Sequence, residues 1–309
     1  MPGHAPVYLK STRESFSFGG MSALPRAGRS EIAMSKTNSI PFHDGHSIPQ
    51  LGFGIWQIPQ GETAAAVESA IEAGYRLIDG AFIYGNEAGL GEGLKNSGVA
   101  RNELFVTTKV WNNSQGADKA RASVERSLKS IGIDQLDLVL IHWPMPSQDL
   151  YVETWKALIE MRNEGLMRSI GVSNFNADHL TRIIEETGEA PVLNQIEINP
   201  QLQQPELRAF CAEHKVVAQA WTPLGNGKSF EADPIKAAAA RTGKSPAQVI
   251  LRWHIQLGHA VIARSINPGR QAENIDVFDF TLTDDEMNAI ATLDVGLRTG
   301  PDPSVFKLM

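Results

Sequence analysis

Eight short runs, apolar or β-branched at nearly every position, recur at 51–55 (LGFGI), 76–81 (RLIDGA), 104–110 (LFVTTKV), 136–142 (LDLVLIH), 168–173 (RSIGVS), 192–199 (VLNQIEIN), 216–221 (VVAQAW) and 260–265 (AVIARS). Strands wetted on one face alternate apolar with polar residues; strands covered on both faces do not, so these runs read as buried parallel strands. The segments between them carry helical spacing and start signals, such as Ala64, Val67, Ala70 and Ile71 after Thr63, and Val124 with Leu128 in the stretch 117–128. Strand alternating with helix eight times predicts an α/β fold closed as a (β/α)8 TIM barrel. The rival, an open doubly wound sheet, needs a Gly-rich turn directly after its first strand. Its nearest candidate, Gly89-Leu90-Gly91-Glu92-Gly93, follows a polar turn and falls inside a helical stretch.

A small β-hairpin is expected ahead of the barrel, because Ile40-Pro41-Phe42 and His46-Ser47-Ile48 flank Asp44-Gly45, a two-residue turn signal. Upstream, residues 1 to 33 carry a net charge of +2 against −9 for the remainder, are rich in Ser, Gly and Pro, and show neither period. Residues 1–38 are therefore expected to be a disordered extension or a basic, acid-poor targeting segment, leaving 39–309 as the barrel domain.

Charge and composition exclude several classes. With 28 Lys+Arg against 35 Asp+Glu the chain is net −7 and has no basic run of five or more, which argues against nucleic-acid binding. No apolar stretch approaches the roughly 18 residues of a membrane span. The single Cys211 cannot close an intramolecular disulfide, so a reducing compartment, the cytoplasm, is expected. Gly225-Asn226-Gly227-Lys228-Ser229 ends like a phosphate-binding P-loop but has Thr222 where the first Gly is required. His43-Asp44-Gly45-His46 sits on the hairpin turn without a carboxylate or Cys cluster to complete a metal site, and no metal is expected.

In a barrel of this kind the chemistry gathers at the C-terminal ends of the strands. Asp79 and Lys109 end the second and third runs, His142 ends the fourth, and Tyr84 follows Asp79 by five residues. One reading is structural: a buried Asp79–Lys109 ion pair and a hydrogen-bonded core histidine. The other is catalytic. A phenol with an ordinary pKa of about 10 is a weak proton donor at neutral pH unless a cation lowers it, and Lys109 would be that cation. Asp79 would hold the ammonium, and His142 would hydrogen-bond a substrate oxygen beside the Tyr84 hydroxyl.

Four stretches tip the balance: 76–87 (RLIDGAFIYGNE), 107–112 (TTKVWN), 141–144 (IHWP) and 171–175 (GVSNF). Together they resemble the aldo-keto reductase superfamily over about residues 39 to 300, and the stretch 219–225 (QAWTPLG) is similar to bacterial 2,5-diketo-D-gluconate reductases. The resemblance implies that Asp79, Tyr84, Lys109 and His142 form a catalytic tetrad, with Tyr84 the general acid in NADPH-dependent reduction of aldehydes or ketones, keto-sugars and α-keto acids or esters among them. It implies that Ser173, Asn174 and Gln195 hold the nicotinamide carboxamide, that Trp221 stacks on the ring, and that Leu224 and Gly225 lie along the pyrophosphate. Arg264, Ser265, Arg270, Glu273 and Asn274 match the adenosine end, where two guanidiniums and a hydroxyl near a helix start suit a 2′-phosphate. Trp56, Trp111 and Trp143 match the walls of the substrate pocket. A small-molecule carbonyl substrate and a monomeric enzyme are the corresponding expectations. A cofactor-bound channel subunit, which some proteins resembling this superfamily are, is the rival class.

Two positions depart from the pattern. Gly80 stands where the family has Thr or Ser, which frees backbone near the cofactor. Ala263-Arg264 replaces Pro-Lys, turning a compact ammonium into a planar fork, so the preference for NADPH over NADH is expected to be less sharp.

Overall fold

The structure, a computed structural model, describes residues 37–308. Nearly all of the expected extension, 1–36, lies outside the described residues.

All eight runs form strands: β3 (Leu51–Gly54), β4 (Leu77–Asp79), β5 (Phe105–Val110), β6 (Leu136–Ile141), β7 (Met167–Ser173), β8 (Leu193–Glu197), β9 (Val217–Trp221) and β10 (Ala260–Ala263). Every neighbour is parallel, and β10 closes onto β3 with Val261 opposite Leu51. The helices are α1 (Gln60–Ala73), α2 (Glu87–Asn96), α3 (Ala117–Ile131), α4 (Tyr151–Asn163), α5 (Ala177–Thr187), α6 (Pro205–Glu213), α7 (Asp233–Thr242), α8 (Pro246–Gln256), α9 (Pro268–Ile275) and α10 (Asp284–Ala291). Both α7 and α8 lie between β9 and β10, and α10 joins α7 in a satellite core through Ile235, Ala238 and Ile290. Several strands stop short of their apolar runs, so Gly80, Ala81, His142, Arg264 and Ser265 emerge beyond the strand ends. That is the face where loops can carry chemistry.

The hairpin forms from β1 (Ser39–Pro41) and β2 (Ser47–Pro49), with Ile40 opposite Ile48. Its turn is longer than the expected two residues. Phe42 N–H donates to His46 O at 2.8 Å, leaving His43, Asp44 and Gly45 as a three-residue loop with Gly45 at φ +90°. The hairpin plugs the barrel floor: Phe42 and Ile48 are buried against Leu77, Leu138, Leu140, Leu193 and Ile262. Asp44 Oδ2 accepts from Ser169 at 2.7 Å and His43 approaches Pro191 O at 3.3 Å, so both anchor the plug.

The glycines of α2 are a packing device. A Cβ on Gly93 would come 2.7 Å from Val67 Cβ on α1, and one on Gly91 would overlap the backbone carbonyl oxygen of Ile131 at the end of α3. Backbone cannot step aside as a flexible side chain does. Gly91→Ala is therefore expected to cost about 3 kcal/mol. Gly61→Ala, in open space on α1, is expected to stabilise by about 0.5 kcal/mol or more, and urea midpoints of the two variants read the opposite signs.

Candidate active site

Three strand ends and one loop bring Asp79, Lys109, His142 and Tyr84 together. Lys109 is buried, and its Nζ donates to Asp79 Oδ2 at 2.7 Å, Gly80 O at 2.9 Å and the Tyr84 hydroxyl at 3.4 Å. Gln195 Nε2 donates to the other Asp79 oxygen at 2.8 Å and to Gln219 Oε1 at 2.7 Å. The His142 ring meets the Tyr84 ring edge-on, centroids 5.8 Å apart, and Trp111 lies beside it at 4.9 Å. The loop carrying Tyr84 is tied down by Asn86, whose amide donates to Ile55 O at 2.8 Å and Ile58 O at 2.9 Å.

The electrostatics correct one expectation. Burial raises the Tyr84 phenol above its ordinary value, and Lys109, pulling it down, does not overcome that. Burial also works against the Lys109 ammonium, but Asp79 and Tyr84 outweigh it and hold Lys109 above its usual range. His142 is pushed well below its ordinary value by burial and then by Lys109, so its imidazole is neutral. The site thus holds a protonated phenol, an ammonium beside it and a neutral imidazole, whose Nδ1 is buried without a partner.

Around this centre Ser173 Oγ donates to Gln195 O at 2.8 Å, and Asn174 donates to His142 O at 3.0 Å and Ser173 Oγ at 3.1 Å. Asn174 sits at φ +61°, and its Oδ1 accepts from Trp221 Nε1 at 2.8 Å, which orients the indole at the end of β9. Ser173 and Asn174 fit a nicotinamide carboxamide: Asn174 Oδ1 keeps a lone pair for an amide N–H, and the Ser173 hydroxyl can rotate to give its proton to the amide oxygen, whereas Gln195 has both amide hydrogens committed and offers only its Oε1. Leu224 is half-buried, and Gly225, at φ +54°, packs on Asn199. Arg264 and Ser265 follow β10, and Arg270 lies in the first turn of α9, capped by Asn267 Oδ1 accepting from Arg270 N–H at 3.1 Å, while the Arg264 guanidinium donates to Trp56 O at 3.2 Å. Both arginines are exposed, and Arg270 at this helix N-terminus fits a phosphate. Asn274 is buried, and Glu273 accepts from the Ser245 hydroxyl, so it also braces α9 against α8.

Trp111 and Trp143 are buried together with Met145, with Phe306 and Trp221 packed against them, and Trp56 is 50% exposed beneath Arg264, whose guanidinium lies 5.9 Å from its ring. A Cβ on Gly80 would meet Leu90 Cδ1 at 3.2 Å, Ile55 Cδ1 at 3.4 Å and Thr107 O at 3.5 Å. What Gly80 offers the site is its carbonyl, on Lys109.

Sequence reasoning missed Glu197. It is fully buried at the end of β8 and accepts from Thr299 N–H at 2.7 Å and Gly300 N–H at 2.9 Å, with the Thr299 hydroxyl a third donor. This carboxylate anchors the C-terminal segment, which lays Phe306 on Trp143 at 4.3 Å and receives Asn112 on Leu308 O at 2.6 Å. The rule that picked out Asp79, an ionisable residue ending an apolar run, also applies to Glu197. Phe306 had no such signal.

Among the described residues no cluster of metal-ligating side chains occurs, and no helix is long and apolar enough to cross a membrane. Residues 50–295 match the model of the Aldo/keto reductase family. An aldo-keto reductase of Mycolicibacterium smegmatis is 51% identical over 268 residues, which cover 86% of this chain and 97% of that protein. The methylglyoxal reductase DkgA of Escherichia coli is 48% identical over 275 residues, covering 88% and 99%. A crystal structure of a Gox0644 mutant in complex with NADPH superposes with a TM-score of 0.85 at 46% identity, covering 88% of this chain and 99% of that one. With the family model spanning residues 50–295 and relatives 46–51% identical over nearly their whole length, the chain belongs to the aldo/keto reductase family of NADPH-dependent carbonyl-reducing enzymes.

Proposed function

We propose that Tyr84 is the proton donor in the reduction of an aldehyde or ketone by this protein, with His142, Lys109 and Asp79 as its supporting groups. The observation that carries this reading is the Lys109 ammonium, which touches Asp79, Gly80 O and the Tyr84 hydroxyl at once. When bound, NADPH supplies the hydride to the carbonyl carbon. The Tyr84 hydroxyl gives its proton to the carbonyl oxygen, and a neutral His142 N–H orients that oxygen. The phenolate left on Tyr84 is stabilised by Lys109, which Asp79 and Gly80 O keep aimed at it. A phenol raised above its ordinary value keeps its proton until the oxygen develops charge to take it.

Ser173, Asn174 and Gln195 would hold the carboxamide, Trp221 the ring face, Leu224 and Gly225 the pyrophosphate, and Arg264, Ser265 and Arg270, with Glu273 and Asn274 behind them, the adenosine phosphate. Trp111, Trp143 and Phe306 bound an aromatic cleft that suits a flat, compact carbonyl such as a short α-oxo-aldehyde, α-keto acid or ester, or keto-sugar. Trp56 stands where it can serve both the cleft and the cofactor. We further place the protein in the cytoplasm as a monomer, the barrel spanning 39–309. Its one thiol, Cys211, is buried and pushed up to about 11, so it stays an unreactive thiol.

The test follows NADPH absorbance over a panel of dicarbonyls, α-keto esters and keto-sugars, with NADH in parallel. Oxidation tied to one substrate class is expected, with kcat/KM favouring NADPH. No turnover across the panel overturns the reductase reading, and equal kcat/KM for the two coenzymes overturns the role of Arg264 and Arg270.

A further inference from the structure

The loop after β9 is held in a strained conformation. Thr222, a β-branched residue, sits at φ +49°, and Gly225, Asn226 and Gly227 follow at φ +54°, +55° and +78°. A left-handed β-branched residue persists only where its surroundings impose it. Behind the loop, His254 of α8 places Nε2 3.1 Å from the Pro223 carbonyl oxygen, and its Nδ1 lies 3.2 Å from Nδ1 of His259, just before β10. Both rings are buried, with Trp253 edge-on to each, and Gln50 Nε2 donates to His259 O at 3.2 Å, fixing the backbone of the second histidine.

The hydrogen bonds define the proton positions. A carbonyl only accepts, so His254 Nε2 carries its proton; in a neutral imidazole Nδ1 is then an acceptor, and His259 Nδ1 must donate to it. Burial keeps both rings neutral, His254 pushed down to about 3 and His259 well below its ordinary value, with Arg208 adding to the effect on each. The result is a directional relay from the start of β10 through α8 to one carbonyl of the strained loop.

We propose that His254, oriented by His259, is a positioning residue that holds loop 221–227 in the form that receives the nicotinamide ring and pyrophosphate of NADPH. This rests on the assignment of that loop to the cofactor above. The relay touches neither the reacting atoms nor the Arg264–Arg270 end, so it should act on affinity for the whole dinucleotide and not for its adenosine half.

His254→Leu removes the donor to Pro223 O and the acceptor for His259. NADPH affinity, read by quenching of tryptophan fluorescence in the absence of substrate, is expected to weaken about tenfold, the scale of one lost hydrogen bond. Adenosine 2′,5′-bisphosphate, which reaches only the Arg264–Arg270 end, is expected to bind as it does to the unmodified protein. His254→Gln, which returns an amide donor to Pro223 O, is expected to restore most of the NADPH affinity even where both variants lose Tm. Unchanged NADPH affinity in folded His254→Leu, or an equal loss for both ligands, overturns the inference. Absence of NADPH binding to the unmodified protein overturns the functional reading and the inference with it.

Discussion

Tyr84→Phe is expected to lower kcat for carbonyl reduction by about 100- to 10,000-fold, the worth of a positioned general acid, while leaving NADPH affinity intact. The substitution removes one oxygen. Lys109 keeps Asp79 Oδ2 and Gly80 O as partners at 2.7 and 2.9 Å, and the loop stays tied through Asn86 to Ile55 O and Ile58 O. The fold therefore has no reason to move, and a loss of turnover reports on the proton. Single-turnover hydride transfer separates that loss from product release, and near-normal turnover would remove Tyr84 from the acid role. The pH profile of the unmodified enzyme adds a second reading. His142 is held well below its ordinary value of 6.5 and Tyr84 above its ordinary 10.0, so neither group titrates across neutrality. The reduction rate is expected to stay level from mildly acidic to mildly alkaline pH and to fall only as Tyr84 loses its proton; a transition centred near 6.5 would contradict the neutral His142.

Lys109→Met is expected to cost both activity and stability. The ammonium is buried with all three protons committed, to Asp79, Gly80 O and Tyr84, so its removal leaves the Asp79 carboxylate inside the barrel without a counter-charge. Breaking a buried pair from one side typically costs about 3–5 kcal/mol, whereas replacing both partners costs far less. Adding Asp79→Asn to Lys109→Met is therefore expected to recover much of the denaturation midpoint but none of the turnover, because the phenolate of Tyr84 remains unsupported. An additive double variant would show that the pair contributes no coupling. The pH sign follows from the direction of the shift. Lys109 titrates higher in the folded protein than its ordinary 10.5, so its contribution is full below that value and is lost only as pH rises through the higher one. At neutral pH the whole penalty is expressed.

The barrel and its chemistry were legible in the sequence for a local reason. Strand periodicity is a property of a few consecutive residues, so eight runs emerge from the chain without knowledge of their neighbours, and their number, with no Gly-rich turn after the first, points to a closed barrel over an open doubly wound sheet. Asp79, Lys109 and His142 stood out because an ionisable group ending an apolar strand must either pair or work, and the structure shows the first two paired with Tyr84 in contact. The grouping of Arg264, Ser265 and Arg270 is local in the same sense, because they lie within one strand end and the next helix start.

Only the tertiary structure decided what depends on distant partners. Glu197 captures Thr299 and Gly300 about a hundred positions along the chain, Phe306 reaches Trp143, and the hairpin closes the floor through Phe42 and Ile48. The guanidinium of Arg264 lies over the Trp56 ring, across a separation no local pattern encodes. The sign of the Tyr84 shift was likewise out of reach, because it is the difference between burial and the pull of Lys109, and burial exists only once the chain has closed around the site. Residue type and local spacing determined which groups this protein brings to its barrel mouth; long-range packing determined which of them touch and which protons they keep.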